Sequence, residues 1–194
     1  MKERKETINI VTANIVSIGI LAVSALVLYG IFFLIWDYQD WFNKEKLNAV
    51  MDQFVTNYII FMVALIVGIV VHELIHGLTW AKFAKSGFKS ISFGVMWKVL
   101  TPYCHCSEPL KVSHYSIGAL MPLIVLGIIP SVAAICLKSL FWLTMGVIFI
   151  AAAAGDIIVV WRLRKENPEN MVLDHPSEAG YLVYEEDNQY TNNL

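Results

Sequence analysis

Charge is scarce in this sequence: Asp, Glu, Lys and Arg make up 15% of its 194 residues, against 57% hydrophobic residues. An ordinary water-soluble domain carries about a quarter charged residues, so that class is excluded and a membrane protein is expected. Nor does either sign dominate. A formal net charge of −2 offers no basic field for a polyanion, which excludes nucleic-acid binding. Cysteine is equally sparse. Cys104, Cys106 and Cys136 are an odd number, and Cys136 lies in an apolar run where it can pack as a small hydrophobe. No structural disulfide is expected, and there is neither an internal repeat nor a low-complexity tract.

What the chain has in abundance is long apolar stretches. A helix rises about 1.5 Å per residue and needs about 20 residues to cross a hydrocarbon layer about 30 Å thick. Four runs meet that requirement: residues 8–36, 58–81, 117–137 and 140–161. The first is preceded by Lys2, Arg4 and Lys5, as a leader peptide would be, but it continues well past Ala22-Val23-Ser24, where a leader could be cleaved. It therefore reads as a span. Pro122 and Pro130 should kink the third run or open a cavity beside it. The expected fold is an all-α polytopic membrane protein with four transmembrane helices.

The connections carry the positive charge unevenly. Eleven Lys and Arg residues lie in the N-terminal segment, the second loop and the tail, and three (Lys44, Lys46, Lys138) lie in the first and third loops. The positive-inside rule then places both termini in the cytoplasm, with spans two and four running inward together. The expected location is a bacterial cell membrane, with the lipid bilayer as the chain's surroundings. Between spans two and three, Ile91, Phe93, Val95, Trp97 and Val99 alternate with Ser90, Ser92, Gly94, Met96 and Lys98, a period of two that reads as a strand ended by Thr101-Pro102. Residues 1–165 form the four-span unit. Residues 166–194 read as a polar cytoplasmic tail with turns at Asn167-Pro168 and His175-Pro176 and a short strand at Tyr181 to Tyr184.

One segment carries chemistry. His72-Glu73-Leu74-Ile75-His76 lies within the second span, and residues four apart share a helix face, so both imidazoles can reach one ion with Glu73 beside it. With five histidines and ten glutamates, chance would produce the pattern in on the order of one chain in a hundred. Zinc suits such a site, because it lowers the pKa of a water in its open position toward about 7. Glu73 is the candidate base. The third ligand expected on depth is Asp156: His76 precedes Lys82 by six residues and Asp156 precedes Arg162 by six, which puts both about 9 Å inside one anchor level on parallel helices. Ala151-Ala152-Ala153-Ala154-Gly155 would let a neighbouring helix approach. Cys104-His105-Cys106, Glu108 and His114 are weaker competitors, since cysteines two apart on a strand share a face while His105 points away. Tyr103, His105 and His114 are candidate oxyanion donors, with nothing in their spacing to select one.

At His72 to His76, Met121-Pro122 and Gly155-Asp156 the chain resembles the family of putative zincin peptidases and, more distantly, intramembrane metalloproteases of the site-2 type. The resemblance covers roughly Tyr58 to Trp161, with the tail around Asp174-His175 and Gly180-Tyr181. It implies zinc held by His72, His76 and Asp156, with Glu73 catalytic. Where site-2 proteases carry an Asn-Pro-Asp-Gly-like signature, this chain has Ala154-Gly155-Asp156-Ile157. The expected activity is zinc-dependent cleavage of a membrane-embedded or membrane-proximal polypeptide. A non-proteolytic zinc scaffold and a small ion or proton transporter using His72, Glu73 and Asp156 as a relay remain alternatives.

Overall fold

The computed structural model describes residues 2–36, 44, 48, 51–97, 101–175 and 180–185. It is mostly helical, with two small sheets. Helix α1 (Ile10–Ile35) starts where Asn9 accepts the backbone N–H groups of Val11 and Thr12, two donors a first helical turn would otherwise leave unpaired. The first span thus begins at residue 10, and Ile8 precedes its cap. Helix α2 (Phe54–Ala81) carries the His72–His76 motif three turns or less from its end. Helix α3 (Val112–Pro122) passes through a π-helical stretch, Leu123–Ile128, into α4 (Ile129–Cys136). The expected kink is therefore a π segment lying between the two prolines. Pro130 has no N–H to give, and Ile129 N–H donates five residues back to Ile124.

The fourth run is broken. Helix α5 (Leu140–Ala152) and helix α6 (Ala154–Leu163) meet at Ala153 with a bend of 45°. Among the described residues three helical stretches are long and apolar enough to cross a membrane, or four if this bent pair is one span. Their outer faces expose large apolar side chains such as Ile18, Leu26, Leu34, Ile59, Ile66 and Val70. The Ala151–Gly155 run does not bring α6 onto α2. Helix α6 packs against α3 and α1, the carbonyl of Ala151 accepts the Ser17 hydroxyl, and aromatic side chains such as Phe61 and Phe141 lie between α2 and α5.

The all-α expectation needs correction, because strands form at both ends of the chain as well as between helices. Strand β1 (Lys2–Thr7), β4 (Leu110–Lys111), β5 (Met171–Asp174) and β6 (Gly180–Glu185) make an antiparallel sheet in the order β1-β6-β5-β4. The segment read as tail with one short strand thus supplies two strands, and the N-terminal cations form a third. The expected strand at Ser90 to Val99 is β2 (Ile91–Met96), with Lys98 and Val99 outside the described residues. Thr101-Pro102 does not end the strand region but opens β3 (Thr101–Cys106), which pairs with β2 in register Val95 to Pro102. The Asn167-Pro168 turn is present, with Asn167 accepting the N–H of Glu169 and of Asn170. Pro176 and Lys46 lie outside the described residues.

One buried cluster holds the helix ends to the larger sheet: Trp80 of α2, Cys106, Leu110, Val112, Tyr115, Leu163, Val172, Tyr181 and Val183. Carbonyls of Asn170 and Pro168 accept the first free N–H groups of α3. Gly180 sits against β1, where a Cβ would lie 2.2 Å from the Glu6 carbonyl oxygen. Gly180→Ala is expected to separate β1 from β6 and destabilise the fold by roughly 1–3 kcal/mol, read as a lower unfolding midpoint in detergent.

Candidate metal centre

Helix geometry puts His72 and His76 one turn apart on the buried face of α2, at 8% and 4% exposure. His76 Nδ1 lies 2.9 Å from the Gly118 carbonyl oxygen. A carbonyl only accepts, so Nδ1 carries the proton and Nε2 presents its lone pair. Opposite, the bend at Ala153 starts a new helix, and Asp156 falls in its first turn, where the positive end of the helix dipole favours a carboxylate. Its oxygens are 3.3 Å from His72 Nε2 and 3.4 Å from His76 Nε2, and the two Nε2 atoms are 3.2 Å apart.

That spacing tests the fit to a metal. Ligand atoms about 2.0–2.1 Å from a tetrahedral zinc lie roughly 3.3 Å from one another. The Nε2–Nε2 separation matches, and each ring has one carboxylate oxygen at that distance, Oδ2 for His72 and Oδ1 for His76. Two imidazole nitrogens and a carboxylate turned to one point repel unless a cation or protons lie between them. His72 Nδ1, buried and without a hydrogen-bond partner among the described residues, does not fix that ring's tautomer as Gly118 fixes that of His76. Among the described residues these three are the only His, Cys, Asp or Glu cluster able to hold an ion.

A cavity of about 580 Å³ opens on the cluster. Glu73 lines it beside the backbone of Cys104, to which it hydrogen-bonds. The remaining candidates separate. Tyr103 and His105 line the cavity, whereas His114 stacks on Phe83 at 4.2 Å and is not among its lining residues. Glu108 accepts from the Ser86 backbone. Cys106 is buried in the core and Cys104 packs against it, and burial pushes the Cys104 thiol up, so it stays protonated and a poor ligand.

Residues not singled out in the sequence support the ligands. The Trp80 ring stacks on His76 at 5.1 Å and on Tyr115 at 5.0 Å, and its Nε1–H donates to the Tyr115 carbonyl at 3.0 Å. The Tyr115 hydroxyl donates to Asp174 in β5. Asp174 is 8% exposed and also accepts from Cys106 N–H at 2.8 Å. Burial pushes its carboxyl above the ordinary value, opposed by those two donors. In the sequence this group shows only through Asp174, which falls within the family resemblance and closes the apolar run Met171-Val172-Leu173.

A helical His-Glu-x-x-His pair and a carboxylate from a second helix together form a cluster that could hold a metal ion. The chain belongs to the family described as "putative zincin peptidase", whose profile matches residues 65–171, more than half of the chain and including His72, Glu73, His76 and Asp156. No curated protein and no solved structure matches it.

Purified protein is expected to hold one zinc per chain, measured by metal analysis after dialysis. Asp156→Ala should lose it, and full retention would remove Asp156 from the ligand set. A Cβ on Gly118 would lie 2.0 Å from Trp80 Nε1, so Gly118→Ala, which displaces the ring supporting His76, should weaken zinc binding about 10–100-fold.

Proposed function

We propose that the protein is a zinc-dependent endopeptidase of the cell membrane, with both termini in the cytoplasm, that cuts a membrane-embedded or membrane-proximal polypeptide. The observation that carries this reading is Glu73 lining the same cavity as two imidazoles and a carboxylate whose ligand atoms lie within 4.8 Å of one another. Zinc held by His72, His76 and Asp156 would supply positive charge beside the scissile carbonyl and acidify a water there. Glu73 would accept that water's proton as the oxygen attacks the carbonyl carbon, then return it to the leaving amide nitrogen. The peptide bond breaks, leaving a carboxylate and an amine.

The membrane orientation draws support from the larger sheet. Its strands come from the N-terminal segment, the loop between α2 and α3, and the tail, the three regions that carry eleven of the fourteen Lys and Arg residues. One sheet requires them on one side. The distant likeness to site-2 proteases fits a cleavage site inside apolar helices, where a helical substrate must be unwound before its backbone is reachable. The β2–β3 hairpin borders the cavity, with Ser92, Met96 and Tyr103 among the lining residues. An extended substrate would add to the outer edge of β2, because the outer edge of β3 already gives its Cys104 and Cys106 N–H groups to Glu73 and Asp174.

Glu73→Gln is expected to retain zinc and lose nearly all turnover, so its uncut substrate should accumulate among membrane polypeptides compared with wild type. Equal zinc with nothing accumulating would favour a zinc scaffold, and absence of stoichiometric zinc would favour the transporter. Val95→Pro should abolish substrate capture with zinc unchanged.

A further inference from the structure

The hydrolase reading leaves the developing negative charge on the substrate carbonyl without a protein donor. Among the described residues no Lys or Arg lines the cavity. Of the lining side chains that can donate, His72 and His76 face the metal position, Trp80 gives its N–H to Tyr115, and Tyr115 gives its hydroxyl to Asp174. Thr101 and His175 have partners of their own. The Tyr103 ring lies over Gly94, its cross-strand partner.

Ser92, Tyr103 and His105 remain, with Ser92 and His105 facing each other across the β2–β3 pair. They differ in what stands behind them. His105 Nδ1 is 3.8 Å from Asp174 Oδ2, an electrostatic contact rather than a hydrogen bond, while neither Ser92 nor Tyr103 has such a partner among the described residues. Asp174 cannot swing away, because Cys106 N–H and the Tyr115 hydroxyl hold its two oxygens. An anion fixed behind one ring nitrogen orients the ring, and the other nitrogen, when it carries a proton, can donate to a group bound in the cavity. No described residue engages His105 Nε2. The ring lines the same cavity as Glu73, the general base.

The geometry points to His105 as a further catalytic residue, hydrogen-bonding the scissile carbonyl oxygen as it becomes an oxyanion, with Asp174 as its positioning residue. This rests on the endopeptidase reading. His105 gives a hydrogen bond and transfers no proton, so the proton balance through Glu73 is unchanged. A neutral hydroxyl such as Ser92 could not gain from the nearby carboxylate in this way, which is why the histidine is assigned.

The test uses full-length, zinc-loaded protein in detergent and a fluorogenic peptide chosen from a library because wild type cuts it and Glu73→Gln does not. His105→Ala is expected to lower kcat about 10²–10³-fold, with KM changed by less than about threefold and zinc still one per chain. His105→Gln, which restores an N–H donor, should recover part of the loss. Asp174→Asn can still accept from Cys106 N–H with its oxygen and turn its NH2 to the Tyr115 hydroxyl oxygen, and should lower kcat by a smaller factor with zinc retained. A phosphinic analogue of the same peptide should bind His105→Ala more weakly by the factor lost in kcat/KM, while the cleaved product binds as to wild type. Unchanged kcat in His105→Ala, with Glu73 dependence intact, overturns this inference and leaves the endopeptidase standing. No Glu73-dependent cleavage of any library member by wild type overturns both.

Discussion

Two imidazole nitrogens 3.2 Å apart, with a carboxylate 3.3 and 3.4 Å away, form the constraint around which the other elements are arranged. Ionisable groups among apolar helices cost several kcal/mol each unless they are paired, so the three must share a cation or the protons that stand in for one. Meeting at one point demands a fixed rotamer from each. His76 is held by the Gly118 carbonyl and the Trp80 ring, and Asp156 sits at a fresh helix start made by the bend at Ala153. A straight fourth helix would place the aspartate mid-helix, without the first-turn N–H groups and dipole that favour its charge.

The larger sheet does for the base what the helices do for the ligands. Its strand β5 brings Asp174 under the edge of β3, where it holds Cys106 in the strand while the neighbouring Cys104 backbone meets Glu73. The same carboxylate anchors Tyr115, and through the stacked Trp80 reaches His76. A single buried acid outside the ligand set therefore touches both halves of the site. Strands from both ends of the chain close over it, which ties the local order of the cavity to a sheet whose members are more than 170 residues apart in sequence.

What could be read from the sequence was what periodicity and depth report. The spans are visible because apolar length is local, and His72 with His76 is visible because four residues is one helical turn. Asp156 was reachable from matched distances to Lys82 and Arg162, without knowing that the helix breaks. The break itself was hidden: Ala151 to Ala154 has the highest helix propensity available, and only tertiary packing against α1 and α3 overrides it. Strand β1 was hidden for the opposite reason. Lys2-Glu3-Arg4-Lys5-Glu6-Thr7 has no apolar alternation, since its pairing is supplied by β6 and its edge faces outward. Pro102 read as a strand terminator because proline removes a ladder donor, yet β3 tolerates it on the edge turned away from β2.

That edge also explains why the hairpin and the tail needed to be seen together. On a two-stranded ribbon alternate N–H groups point outward and, left without a partner in a buried setting, each costs as much as a lost hydrogen bond. On β3 the outward positions are 102, 104 and 106. Proline needs no acceptor, Cys104 finds Glu73 and Cys106 finds Asp174. The strand's backbone is therefore satisfied by one carboxylate from the motif helix and one from the tail. Removing either acid leaves a buried donor unpaired beside the cavity, so the two carboxylates are coupled through three residues of β3 although they lie a hundred residues apart in the chain.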